Sequence, residues 1–320
     1  MDPVTLWCIG FTVTLLLFIV AIIYVRLNFG RCLSKADLSG KTAIVTGANT
    51  GIGYYTALDF ATRNARVILA CRNIKKAVEA QKRIIEETDN EEIIVKELDL
   101  SSMKSVRNFV REILDEEPEL HILVNNAGVL GMPKIITEDG LESMFATNHF
   151  GPFLLTNLLL DLLKYSAPSR IVNVSSLVNT MGRIEFDNLR AEKYFNYHRI
   201  YFDSKLANIF FTRELARRLE GSDVLVNCLH PGTIQTELLR NLPSIFRWPI
   251  TLIGKFFFKN CDEGAQTSIY CAVSEEVEGI SGKYFVDCAL ADHAANKISQ
   301  DPGIAKKLWE ISEKYTGLVA

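Results

Sequence analysis

The chain has 320 residues, enough for one large domain or two small ones around a sizeable core. Hydrophobic residues make up 48% and charged residues 23%, a composition that excludes a disordered chain. The formal net charge is −3 and no basic stripe with interleaved aromatics is present, so no nucleic-acid partner is expected. Seven scattered cysteines form no CxxC pair and only five histidines accompany them, so no metal site is expected and the thiols read as reduced.

The first element is an apolar run. Pro3 to Val25, PVTLWCIGFTVTLLLFIVAIIYV, holds no charged residue. At about 1.5 Å per residue it can cross a bilayer core of roughly 30 Å. It lacks the polar stripe of a surface helix on a soluble domain. A cleaved signal peptide would carry basic residues ahead of a shorter apolar core. Here Asp2 precedes the run, and Arg26, Arg31, Lys35 and Lys41 follow it. The expectation is an N-terminal transmembrane helix within residues 1–25, a basic connector at 26–35, and one domain over 36–320 on the cytosolic side.

From residue 42 onward short apolar runs alternate with helical patterns. TAIVTG, RVILAC, EIIVKELDL, HILVNNAG, RIVNVSS, VLVNCLHPG and GKYFVD read as strands. GIGYYTALDFATRNA, IKKAVEAQKRIIEET, SSMKSVRNFVREILDEE and YFDSKLANIFFTRELARRLE read as helices, the third with a serine available as N-cap. LESMFATNHFGPFLLTNLLLDLLK reads as one long helix, bent near Gly151 and Pro152. This alternation predicts an α/β fold: a Rossmann-type doubly wound parallel sheet in a single domain, covered on both faces.

TGANTGIG, Thr46 to Gly53, lies where the first strand turns into the first helix of the series. A pyrophosphate needs backbone N–H donors at a helix N-terminus and no side chains in the way. Gly47, Gly51 and Gly53 permit the tight turn and the close approach. No lysine follows the last glycine, so the loop is not a P-loop. The second strand ends ACRN, with Arg72 in place of the acidic residue that would hold a free ribose 2′-hydroxyl. A guanidinium there can pair with the 2′-phosphate of NADP, the alternative being a solvated arginine near the next helix start.

TGANTGIG, NNAG at Asn125–Gly128, NVSS at Asn173–Ser176, Tyr201-xxx-Lys205 and HPG at His230–Gly232 occur in this order. Together they resemble the short-chain dehydrogenase/reductase family over about residues 38–290. ACRN, HILVNNAGVL, RIVNVSSL, SKLANIFFTRELARRL, HPGTIQTEL and GAQTSIYCAV with GKYF further resemble the microsomal retinol dehydrogenase group. That resemblance implies a membrane-anchored, NADP(H)-dependent enzyme of the endoplasmic reticulum that interconverts retinal and retinol. It implies catalytic roles for Asn148, Ser176, Tyr201 and Lys205. It further implies cofactor contacts from Gly47, Asn49, Thr50, Gly51, Ile52, Gly53, Arg72, Asp99, Asn126, Ala127, Gly128, Tyr201, Lys205, Pro231, Gly232 and Thr233. A homodimer is compatible with it. The acid Asp203 inside the Tyr–Lys motif and Pro152 after Asn148 depart from the family's pattern.

The chemistry is readable from the residues. Reduction of a carbonyl leaves charge on oxygen, and a tyrosine can supply the proton. Its unperturbed pKa near 10 makes it a poor base for the reverse reaction. Positions i and i+4 share a helix face, so the Lys205 ammonium can lie near Tyr201 and favour the phenolate. The Ser176 hydroxyl can hydrogen-bond the substrate oxygen, while Asn148 is expected to order backbone and water. His149, His198 and His230 fall on different elements and are expected to be structural. Asn241 to Phe258, NLPSIFRWPITLIGKFFF, is either a pair of core helices or an apolar lid near the membrane that admits a lipophilic substrate. Alternative substrates are steroid, isoprenoid or lipid-peroxidation carbonyls, and an NADP-binding membrane scaffold is the reading from another class.

Overall fold

The computed structural model describes residues 2–234, 254 and 257–319. Most of the expected lid, Asn241 to Phe258, therefore lies outside the described residues. Among the described residues, eight strands form one sheet: β1 (Thr42–Thr46), β2 (Arg66–Cys71), β3 (Ile93–Glu97), β4 (Ile122–Asn125), β5 (Ser169–Val174), β6 (Val224–His230), β7 (Tyr284–Val286) and β8 (Ala289–Leu290). Their spatial order is β3-β2-β1-β4-β5-β6-β7-β8. All neighbours are parallel except the β7–β8 pair. The order reverses between β1 and β4, which pair through Ala43–Ile122 and Val45–Val124. In such sheets the crevice beyond the carboxyl ends of these two strands is where ligands bind.

The central strands are apolar on both faces because helices cover both. Successive side chains point to opposite sides. Ile44, Ile68 and Leu123 join one core with Phe109, Phe153 and Phe210. Val45, Leu69 and Val124 join the other with Phe60, Ile84 and Ile269. The first core is closed by α4 (Met103–Glu116), α6 (Gly151–Leu158), α8 (Tyr197–Arg218) and α10 (Pro302–Thr316), and the second by α2 (Gly51–Thr62), α3 (Ile74–Thr88) and α9 (Cys261–Val273). Ser102 caps α4 by accepting from the Ser105 N–H, as its position in the sequence suggests.

The expected long helix is broken twice. A short α5 (Ser143–Phe145) runs into a widened π turn over Ala146–Phe150, then into α6, and the chain breaks again before α7 (Leu160–Tyr165). Pro152 has no N–H to offer the Asn148 carbonyl, and the Gly151 N–H instead bonds back five residues to the Ala146 carbonyl. Gly151 itself lies against the Leu100 carbonyl, where a side chain would collide. The distortion thus begins ahead of the Gly–Pro pair, and Asn148 stands inside it. The strand β8 also escaped the sequence reading, being two residues long.

Helix α1 (Pro3–Leu27) has no buried residue, and it is the one helix among the described residues long and apolar enough to cross a membrane. The residues after it lie along the domain surface. Arg26 Nη1 meets Glu263 Oε1 at 2.7 Å, the Cys32 N–H donates to Gln266 Oε1 at 3.1 Å, and Arg63 donates to the carbonyls of Ser34 and Ala36. The basic connector is held against α9 and the end of α2.

Candidate active site

The parallel register brings the ends of β1, β4, β5 and β6 side by side. At the end of β1 the Thr46 hydroxyl accepts the N–H groups of Asn126 and Ala127, each at 3.0 Å. The Asn126 side chain returns the contact by donating to the Thr46 carbonyl at 2.8 Å. The two turns are latched to each other. Gly53 completes the join: a Cβ there would stand 2.5 Å from both Asn126 Nδ2 and the Gly47 oxygen. Gly47 and Gly51 adopt positive φ, natural to glycine. Thr50 is the N-cap of α2, but its side chain makes no capping hydrogen bond. The first N–H groups of α2 are therefore available to an anion. Asn49 is half-buried, and Ile52 packs into the second core.

Asn148 is fully buried. Its Oδ1 accepts the Val129 N–H at 2.8 Å, and its Nδ2 donates to the Val129 carbonyl and to Ser204 Oγ, each at 3.0 Å. The π turn thus grips the residue after Gly128 by both backbone groups. Ser204 passes the contact to helix α8 by donating to the Tyr201 carbonyl at 2.8 Å. Asn148 thus orders the Val129 backbone.

Lys205 is 4% exposed. Its Nζ donates to the Val174 carbonyl at 3.0 Å and lies 5.8 Å from the centre of the Tyr201 ring. A side chain on Gly128 would meet Nζ at 3.0 Å, so this glycine makes room for the ammonium. Burial lowers the Lys205 pKa to about 8. Burial raises the Tyr201 phenol above its ordinary value, and interaction with the Ser176 hydroxyl opposes that rise. Ser176, Tyr201 and Lys205 are therefore brought together, with Ser176 as the phenol's polar neighbour.

Ser176 follows β5 and begins a short 3-10 turn over Leu177–Met181. Asn179, fully buried, donates to the Ser176 carbonyl at 2.7 Å and to the Tyr284 hydroxyl at 2.9 Å. The Ser175 hydroxyl donates to the Lys205 carbonyl at 2.6 Å, tying α8 to β5. At the end of β6, His230 Nδ1 accepts the Gly232 N–H at 2.9 Å. Burial lowers the His230 pKa to about 4, so it stays neutral and able to accept. The turn Pro231–Thr233 is shaped by this bond. His149 is buried against Ser312, and His198 lies on α8 beside Tyr197. The three histidines do not form a cluster.

Arg72 and Asp99 border one groove of about 320 Å³, together with Ser101, Val129 and Thr147. Arg72 is exposed, and Asp99 Oδ1 accepts from the N–H and hydroxyl of Ser101. Asp203, the acid inside the Tyr–Lys motif, serves another purpose. It accepts the Arg183 N–H at 2.7 Å and pairs with Arg199 Nε at 3.1 Å, fastening the segment ahead of α8. Burial raises its pKa to about 7. Thr46, Ser175, Asn179 and Ser204 escaped the sequence reading as site residues. The threonine closing β1 and the paired serines closing β5 were the available signals. Asn179 had none, since Tyr284 and Asn296, which it ties to the Ser176 turn, are more than 100 residues away in sequence.

A doubly wound sheet with a glycine turn at its switch point is the architecture of dinucleotide-dependent oxidoreductases. The family profile described as "short chain dehydrogenase" matches residues 41–244. Human "Retinol dehydrogenase 11" is 50% identical over 292 residues, covering 91% of each chain. The crystal structure of an uncharacterized protein from Mycobacterium Paratuberculosis is 30% identical with a TM-score of 0.72, covering 90% of this chain and 98% of that one. The "Pseudomonas aeruginosa RhlG/NADP active-site complex" is 25% identical with a TM-score of 0.61, covering 78% of this chain and 95% of that one. The chain belongs to the short-chain dehydrogenase/reductase family and is an alcohol dehydrogenase-type oxidoreductase. Its cofactor class is the nicotinamide dinucleotides.

Asn148→Ala removes the partner of both Val129 backbone groups. It should cost about 1–3 kcal/mol of stability in urea unfolding and raise the cofactor KM. An unchanged midpoint together with an unchanged KM would show that Asn148 does not hold the turn.

Proposed function

We propose that the protein is a membrane-anchored NADP(H)-dependent oxidoreductase that interconverts retinal and retinol, running mainly as a reductase. The observation that carries the reading is 50% identity to human "Retinol dehydrogenase 11" along 91% of both chains. The juxtaposition of Ser176, Tyr201 and Lys205 supports it. The residues present fit the cofactor. The amino end of α2 offers N–H groups to the pyrophosphate, and the Lys205 ammonium has donors beyond the one used on Val174. Arg72, which borders the same groove as Asp99, would pair with the 2′-phosphate, and Asp99 would lie beside the adenine. Asn126, Ala127 and Gly128 would line the middle of the cofactor, and Pro231, Gly232 and Thr233 would border its nicotinamide. A bound nicotinamide supplies the hydride for reduction or accepts it in oxidation.

The protein's part is to position the carbonyl and manage the proton. Ser176 donates a hydrogen bond to the carbonyl oxygen, and Tyr201 delivers a proton to that oxygen as charge develops. Burial holds the phenol protonated, which suits reduction. Lys205 stabilises the phenolate left behind, and its remaining donors would hold the ribose of a bound cofactor. Helix α1 would anchor the chain, the basic residues after it favour the cytosolic side for the domain, and the likeness to retinol dehydrogenases favours the endoplasmic reticulum. Phe18 of α1 meets Phe257 with ring centres 5.8 Å apart. This contact supports a lipophilic substrate arriving from the bilayer side.

Two experiments on detergent-solubilised protein test the reading. Across a panel of retinal, steroid, isoprenoid and small aldehydes, retinal with NADPH should give the highest kcat/KM, and Tyr201→Phe should abolish turnover of every carbonyl while NADPH still binds. Turnover surviving in Tyr201→Phe would refute the mechanism; a higher kcat/KM on another carbonyl would move the substrate, and a wild type inactive on all would leave a binding scaffold. Arg72→Ala should weaken NADPH by about tenfold or more and leave NADH nearly unchanged. Equal losses for both would remove Arg72 from the 2′-phosphate.

A further inference from the structure

Lys259 stands outside the residues assigned so far. Its side chain is 2% exposed although it carries a charge. Nζ forms an ion pair with Asp287, in the turn between β7 and β8, and lies 5.3 Å from the centre of the Phe29 ring in the connector. The Lys259 N–H donates to the Thr233 carbonyl at 2.9 Å, and the residue pairs with Ile234 in a parallel bridge. Its aliphatic stem packs beneath the turn at the end of β6. A Cβ on Gly232, which has φ +89°, would meet Lys259 Cδ at 2.9 Å and Cε at 3.2 Å.

The connector touches the same pair of residues. A side chain on Gly30 would overlap the Asp287 carbonyl. The obstacle is backbone, so no rotamer change relieves it. The Asp287–Cys288 turn is itself constrained, with both residues at positive φ and the Cys288 N–H donating to Thr267 Oγ1 at 3.3 Å. A continuous path of contacts thus runs from Phe29 and Gly30 through Asp287 and Lys259 to Gly232 and Thr233.

We propose that Lys259, Asp287 and the Phe29–Gly30 stretch form a clamp that sets the position of the Pro231–Thr233 turn, making the membrane connector a positioning part of the cofactor site. The inference rests on the reading above that this turn borders the nicotinamide. An ammonium buried in this way needs its carboxylate, so loss of Asp287 would leave the Lys259 charge uncompensated, whereas Asp287 itself is 39% exposed. The Arg72–Asp99 groove lies at the other end of the site, at the β2 and β3 ends of the sheet. The clamp therefore acts on one half of the cofactor only.

The two halves can be separated by ligand. NADPH spans both, whereas 2′-phospho-ADP-ribose lacks the nicotinamide. In titrations of full-length, detergent-solubilised protein, Gly30→Val and Lys259→Met should each weaken NADPH by about tenfold and change 2′-phospho-ADP-ribose by less than about twofold. Lys259→Arg, which keeps the charge, should recover part of the loss. Gly30→Val keeps every charge and decides the case alone if Lys259→Met does not fold. Equal loss of both ligands, or undiminished NADPH affinity in Gly30→Val, would overturn the clamp. A wild type that binds neither ligand would instead remove the cofactor reading on which the clamp rests.

Discussion

The hydrogen bond from the Lys205 ammonium to the Val174 carbonyl joins α8 to the end of β5, and much of the site is arranged around it. Among the described residues, that carbonyl is the ammonium's one hydrogen-bond partner, and no carboxylate lies within ion-pair distance. A charge in so dry a place is costly, and the group responds with a lowered pKa. The neighbours conform to it. Gly128 lacks the side chain that would press on Nζ. Ser175 holds the Lys205 carbonyl, so the backbone and the side chain of one residue are both tied to the β5 end. Asn148 and Ser204 fasten the loop after Gly128 to the same helix.

This arrangement explains why motifs far apart in sequence act as one unit. Thr46 latches the first glycine turn to the turn after β4, and Asn148 latches the latter to α8. Asn179 connects the Ser176 turn to Tyr284 on β7 and, through its Oδ1, to the Asn296 N–H. Each link is a buried or partly buried hydrogen bond made by a polar side chain to backbone or to another side chain, and a buried group left without its partner is costly. The nucleotide end and the catalytic end are thereby braced separately and then joined through the strand ends.

Much of the fold was legible because the central strands are apolar runs bounded by turns, and because α3 and α4 carry strong helical periodicity. The boundaries of α3 fall where IKKAVEAQKRIIEET begins and ends. The site's outline was legible from the order of its motifs. What the sequence hid were features decided by distant partners. The π turn depends on Pro152 together with the Leu100 backbone. The two-residue β8 exists only as a return strand on β7. The i, i+4 spacing placed Tyr201 and Lys205 on one helix face, but the direction of the ammonium was decided by an acceptor on β5. The connector read as a basic tether because its partners Glu263, Gln266 and Asp287 lie more than 200 residues away in sequence.

The central claim is that the charged form of Lys205 supports proton delivery by Tyr201. The value of kcat/KM follows the ionisation of groups in the free enzyme. Burial brings Lys205 to about 8, so its ammonium is present below that pH and lost above it. The direct measurement is the pH profile of kcat/KM for retinal reduction by NADPH, in the wild type and in Lys205→Arg. The wild-type rate should fall as pH rises through about 8, and in the arginine variant, which keeps its charge there, whatever rate survives should lose that alkaline limb. The same limb at the same pH in both proteins would contradict the account.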